Sequence, residues 1–133
     1  MKKMVSVAVY IIKNYNQKKD CQQLTDVRLQ NLVFLCDKNY EKKYNKRMFE
    51  ENYRLTTDGP VIHDLYYIGY PDDIGGKYNT FYRYGDVKLE PDELKIIDEI
   101  LQRTYDISTE ILVRQSTFDF AKEIKEGYDS QFM

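Results

Sequence analysis

Leu24-Thr25-Asp26-Val27-Arg28-Leu29-Gln30-Asn31-Leu32-Val33-Phe34-Leu35, residues 24 to 35, is the stretch on which the fold turns. Leu24, Thr25 and Asp26 supply a hydrophobic staple and an N-cap, the side-chain oxygen that satisfies a free N–H at a helix start. The helix that follows carries Val27, Leu29 and then five consecutive apolar residues, Leu32 to Cys36. Such a run leaves almost no polar face, and a helix that is apolar all round belongs inside a protein. Residues 24–36 are therefore expected to be the central, most buried helix.

Toward the N-terminus, Met4, Ala8, Ile11, Ile12 and Tyr15 recur at helical spacing, which predicts a surface helix with one buried stripe. Residues 16 to 23 are polar and read as a loop. Toward the C-terminus, Asp37 to Arg47 turns polar and basic, and Met48 to Leu55 alternates as a short strand does. Thr56 to Pro60 forms a turn, with Pro60 placed to open a helix through Val61, Ile62, Leu65, Tyr66 and Ile68. Residues 69–88 hold most of the glycine and read as a long loop in which Asn79–Tyr84 pairs as a strand. Pro91 restarts helix with Leu94, Ile97, Ile100, Leu101 and Tyr105 in register. Ile107 and Ser108 form a further staple and cap, and Ser116 or Thr117 caps a last helix through Phe118, Ala121 and Ile124 to Gly127. The expected fold is mainly α (α+β): one compact domain over 1–133, a bundle of about six helices with a small two-stranded β-ribbon.

At 133 residues, 42% hydrophobic and 32% charged, the chain suits a single globular domain. No apolar run reaches the roughly 18 residues needed to span a bilayer. The apolar start stops at Lys13 with no small-residue cleavage site behind it, so it is read as helix and not as a signal peptide. Cys21 sits in a polar loop and Cys36 in an apolar run, which fits a reducing cytoplasmic compartment better than a disulfide. Net charge is −2, but residues 1–67 carry 12 basic and 8 acidic groups (+4) and residues 68–133 carry 8 and 14 (−6). A dipolar chain of this kind steers a charged partner, yet it lacks the basic excess of a dedicated nucleic-acid binder.

Acid–base catalysis needs paired groups, most often including a histidine. The chain has one, His63, whose neighbour Asp64 is one position along and cannot face it on a helix. Cys21, Cys36 and His63 lack metal-ligand spacing, and Gly75-Gly76 is followed by Lys77-Tyr78 with no phosphate-cradling helix start. No catalytic residue, cofactor or metal is expected, and the chemistry left is binding to a macromolecule. Lys38, Lys42, Lys43, Lys46 and Arg47, with Tyr40 and Tyr44, make a possible phosphate grip, although Asp37 and Glu41 lie among them and a solvated helix end is the plainer reading. The sharper candidate is Asp58, Gly59, Pro60 and Val61, a turn that either fixes a packing helix or shapes a groove lined by Tyr53, His63, Tyr66 and Tyr67. Tyrosine offers contact area at low rotamer cost, and this chain has 13.

Two of these segments carry a resemblance. Leu24-Thr25 through Arg28-Leu29-Gln30-Asn31-Leu32 is similar to the Thr-x-x-Lys-Leu-Gln-Lys-Leu helix of the Panacea, or SocA-like, antitoxin family. About twenty residues on, Phe49, Glu51, Tyr53 and Leu55 lead into Asp58-Gly59-Pro60-Val61 and Tyr66, which resembles that family's Gly-Pro-Val-x-x-x-x-Tyr signature. Departures are Asn31 for Lys, Phe34 for Tyr, Thr56 for an aromatic residue, Arg114-Gln115-Ser116 for Leu-Thr-His, and Phe118 or Phe120 for Trp. The resemblance implies a divergent member, with a phage genome among its expected sources. It also implies a non-catalytic role: neutralising a toxin-like protein by direct contact, or handing it to a protease. Two further readings stand beside it. One is an anti-CRISPR-like inhibitor of host defence that uses Asp92, Glu93, Asp98, Glu99, Asp106 and Glu110 as an acidic surface against a nuclease. The other is a DNA-binding regulator using Lys38 to Arg47.

Overall fold

In a computed structural model, residues 3–15, 23–65 and 88–131 are described, with side chains to residue 126. The elements are α1 (Lys3–Tyr15), α2 (Asp26–Tyr44), β1 (Arg54–Thr56), β2 (Gly59–Val61), α3 (Pro91–Thr104) and α4 (Thr109–Gln131), with residues 63–65 beginning a further helical turn. Over the described residues the protein is mainly α with one small antiparallel ribbon, as expected of the fold class.

Helix α2 is the hub. It begins where the sequence places it: Thr25 accepts the Arg28 N–H at 3.1 Å. It ends at Asn45, whose left-handed backbone (φ 59) turns its N–H back to the Glu41 carbonyl at 2.8 Å. Every residue from Arg28 to Asp37 is buried, and α2 packs against α1, α3, α4 and β2. Leu29, Leu32, Val33 and Phe34 are fully buried, each contributing about 1.5–3 kcal/mol of transfer free energy.

Around this hub, α1 is more deeply set than a single stripe predicts: Met4 to Val9 is buried without a break, because Val5, Val7 and Val9 extend the apolar surface round the helix. Helix α3 starts at Pro91. The Glu90 N–H donates to Glu93 Oε1 at 2.7 Å, and the buried Glu93 also receives Lys3 Nζ at 2.8 Å, tying α1 to α3. Arg28 is fully buried and closes the corner between α3 and α4. It donates to the carbonyls of Thr104 (2.6 Å) and Ile107 (2.8 Å) and to Thr109 Oγ1 (3.2 Å), satisfying orphan carbonyls at a helix C-terminus where a cation is favoured. Ser108 caps α4 as predicted, accepting the Ile111 N–H at 3.2 Å.

Two expected helix starts are corrected. No new helix begins at Ser116 or Thr117. Leu112, Ser116 and Phe120 recur every four residues on one buried face, so α4 runs on unbroken. Phe118 and Ile124 lie off that face and are exposed. Pro60 does not open a helix but sits in β2, opposite Leu55. The ribbon is thus made by residues on either side of the Thr57-Asp58 turn, while the strand expected over Asn79–Tyr84 lies outside the described residues, as do Cys21, Tyr66, Tyr67, Ile68 and the Gly75-Gly76 turn.

Candidate partner-binding site

The ribbon turn is held from beneath by two side chains of α2. Gln30, buried, donates from Nε2 to the Ile62 carbonyl at 3.2 Å and accepts the Ile62 N–H at Oε1 at 2.9 Å, acting as a short stretch of partner strand. Asn31 Nδ2 donates to its own helix at Val27 (2.8 Å) and across to the Asp58 carbonyl (3.1 Å). Gly59 takes φ +94, a conformation that side-chain-bearing residues rarely adopt. A Cβ there would also lie 2.8 Å from Asn31 Oδ1. That oxygen is buried with no hydrogen-bond partner among the described residues, pressed against the glycine. Thr56 Oγ1 braces the turn from outside, accepting the Asp58 N–H at 3.0 Å and donating to the Gly59 carbonyl at 2.9 Å.

Both departures at this point, Asn31 and Thr56, supply hydrogen bonds of the turn itself. Pro60 has no N–H to give and is tolerated because the ribbon has a single partner strand. With Gly59 in this conformation and Ile62 tied to Gln30, helix begins only at His63, where the Leu65 N–H reaches the Ile62 carbonyl at 3.1 Å.

Of the residues predicted to contact a partner, Gly59, Pro60 and Val61 are buried, whereas Asp58 and His63 are exposed. Tyr53 is turned inward. Its ring packs on Phe34 (5.0 Å), Phe120 (5.8 Å) and Phe49 (6.3 Å), and its hydroxyl donates to Asp37 Oδ2 at 2.8 Å. Large apolar side chains are exposed at Leu55 on β1 and at Ile111 and Phe118 on α4, the helix that packs against both strands. Phe118 is 68% exposed. It stands out in the sequence only by being out of phase with Leu112 and Phe120.

Asp37 is what the sequence reading missed. Taken as one acid in a solvated basic stretch, it is fully buried and accepts from Arg47 Nε (2.9 Å), Arg47 Nη2 (2.7 Å), the Met48 N–H (2.8 Å) and Tyr53. Burial first, then the Asp37 charge and hydrogen bond, hold the Tyr53 hydroxyl well above its ordinary pKa. Lys38 is likewise engaged, with Glu123 at 2.8 Å and Glu41 at 3.4 Å, and Tyr40 is buried with its ring 4.7 Å from that of Tyr44. Of the phosphate and base grip drawn over Lys38 to Arg47, two cations and one ring are therefore committed to the fold.

The acidic surface is also reduced. Asp92, Asp98, Glu99, Asp106 and Glu110 are exposed but Glu93 is buried, Asp98 accepts the Tyr10 hydroxyl at 2.7 Å, and Glu110 pairs with Arg114 at 2.8 Å. Among the described residues no group of three or more His, Cys, Asp or Glu is placed to hold a metal ion, and no helix is long and apolar enough to cross a membrane. Burial pushes the Cys36 thiol pKa upward, which makes it an inert core residue.

Comparison with known families matches residues 29–118 to the model of the antitoxin SocA-like, Panacea domain. The match opens at Leu29, one residue before the Gln30–Asn31 clamp, and closes at the exposed Phe118. Comparison with curated proteins and with solved structures gave no match.

Proposed function

The chain belongs to the antitoxin SocA-like, Panacea domain family, and from that premise we propose that it is a non-catalytic binding module that neutralises a toxin-like protein by direct contact. The observation that carries this reading is the ribbon: bound to α2 on its inner side through Gln30 and Asn31, it presents Leu55 and Asp58 outward on a fixed backbone, with the exposed His63 just beyond it. A surface fixed before binding loses little entropy on docking, which favours affinity. Ile111 and Phe118 on α4, the helix that packs against the ribbon, are large exposed apolar side chains of the kind that mark interaction surfaces, and the proposed contact includes them. Tyr66, by its place in the sequence signature, and Tyr67 beside it belong to the same proposed contact.

The test is co-expression with the product of the adjacent gene. Growth should be restored and a stable complex recovered, while Asp58→Arg combined with Phe118→Asp, both at exposed positions, should abolish rescue without unfolding the protein. Absence of any rescue or complex would sink the reading. Within a complex, a partner of unchanged half-life denotes sequestration, and a shortened one denotes delivery to a protease.

A further inference from the structure

Away from the ribbon, the C-terminal half of α2 and the outer side of α3 enclose a groove of about 530 Å³. Its floor is closed by Ile96 and Ile100, and its rim carries Lys42, Lys43 and Arg103 against a single carboxylate, Glu99. The balance there is three positive to one negative, +2, on a chain whose net charge is −2. Lys42, Lys43 and Arg103 are all exposed, and none is in an ion pair among the described residues, whereas Lys3, Lys38, Arg47 and Arg114 each are. Arg103 is steadied by the hydrogen bond from Nη2 to Asn39 Oδ1 at 3.2 Å, which bridges the two walls. The C-terminal dipole of α2 favours Lys42 and Lys43 and that of α3 favours Arg103, and the packing of the two helices brings these three cations together on one groove.

We propose that this groove receives an acidic amphipathic helix of the partner protein, with carboxylates on Lys42, Lys43 and Arg103 and apolar side chains on the groove's apolar lining above Ile96 and Ile100, which are themselves almost wholly buried. The proposal rests on the reading above for the partner being a protein. Charge complementarity selects the occupant. A phosphate backbone would need the whole basic stretch, but Lys38 and Arg47 are committed to Glu123 and Asp37, Tyr40 is buried, and Glu99 stands in the groove against a continuous polyanion. Discrete carboxylates spaced along a helix avoid Glu99 and use the apolar floor.

The probe is a fluorescein-labelled helical peptide of roughly 18 residues with glutamate and leucine on one face, titrated into the full chain and read by fluorescence anisotropy. Its Gln-for-Glu counterpart and oligo(dT) serve as comparisons. Expected is saturable binding, weakened about tenfold or more by raising salt toward ~0.5 M and by Lys42→Glu/Lys43→Glu. Lys122→Glu, on exposed α4, should leave binding unchanged, and circular dichroism should show both variants folded. No binding of the acidic peptide, equal binding of the Gln peptide, indifference to the Lys42/Lys43 reversal, or tighter binding of oligo(dT) each overturns the proposal. Because none of these readouts involves the toxin-like partner, the groove can fail while co-expression rescue stands, and the reverse.

Discussion

Gln30 and Asn31 in the first half of α2 and Asp37 in its second half are all buried polar side chains on one helix, but they are satisfied by different means. The two amides face backbone: Gln30 meets both polar groups of Ile62, and Asn31 meets the Asp58 carbonyl, with neutral partners throughout. Asp37 instead gathers a guanidinium, a phenol and a backbone N–H into an ionic knot beneath Phe34, Phe49 and Phe120. An amide clamp depends on shape and register, so it positions a turn. An ionic knot depends on charge compensation, and removing the carboxylate leaves the half-buried Arg47 with only the Glu51 carbonyl and leaves the Tyr53 hydroxyl and the Met48 N–H without their acceptor. The first region positions the proposed binding face, and the second holds the 45–53 segment that leads into it.

The largest effect should therefore come from the knot. Asp37→Ala strands Arg47, the Tyr53 hydroxyl and the Met48 N–H together, and a loss of about 3–5 kcal/mol is expected in urea unfolding. A loss below about 1 kcal/mol would mean that water replaces the carboxylate and that the two regions do not differ as argued. Next, Gln30→Leu keeps the volume but orphans both groups of Ile62, for a loss of about 2–4 kcal/mol. It should also loosen the ribbon, seen as faster amide exchange at Ile62. Gly59→Ala follows at about 1–3 kcal/mol, part from φ +94 and part from the Asn31 Oδ1 contact. Combining it with Asn31→Ala separates the two: a favourable coupling above about 0.5 kcal/mol shows that the contact matters, and strict additivity leaves only the backbone strain.

The same contrast decides what could be read from the sequence. Leu32 to Cys36, the Thr25 cap and the Pro91 start were legible because each is a local signal. The Gly59-Pro60 turn was legible as a place but not as a conformation: a Gly-Pro pair suits a helix start and a strand equally, and the choice is made by Gln30 and Asn31, 27 to 32 residues away. Asp37 and Arg47 were illegible, since a carboxylate and a guanidinium ten residues apart in a run of lysines read as solvated charge unless the chain is seen to fold back. Tyr53 was placed on the binding face because its position in the signature is plain and its neighbours are not. Phe118 carried a signal, the break in phase with Leu112 and Phe120, that an expected helix start at Ser116 concealed.

The smallest predicted effect tests the knot without dismantling it. Tyr53 is held protonated in the folded state, first by burial and then by Asp37, so its folded pKa lies well above the value near 10 that the unfolded chain has. Below about pH 10 both states keep the proton and the group adds no pH dependence. Above it the unfolded state releases the proton first, and stability falls by up to about 1.4 kcal/mol per pH unit, or about 1 kcal/mol by pH ~10.5. Tyr53→Phe should thus be less stable than the parent at pH 8, having lost the bond to Asp37, yet lose less on going to pH ~10.5. Tyr10, raised to about 12 by burial and then by its bond to Asp98, adds the same sign of dependence from the α1–α3 side. Tyr10→Phe isolates that contribution. Equal alkaline slopes for the parent and Tyr53→Phe would show that the phenol titrates as if in water, and that the knot is open to solvent where the amide clamp is closed.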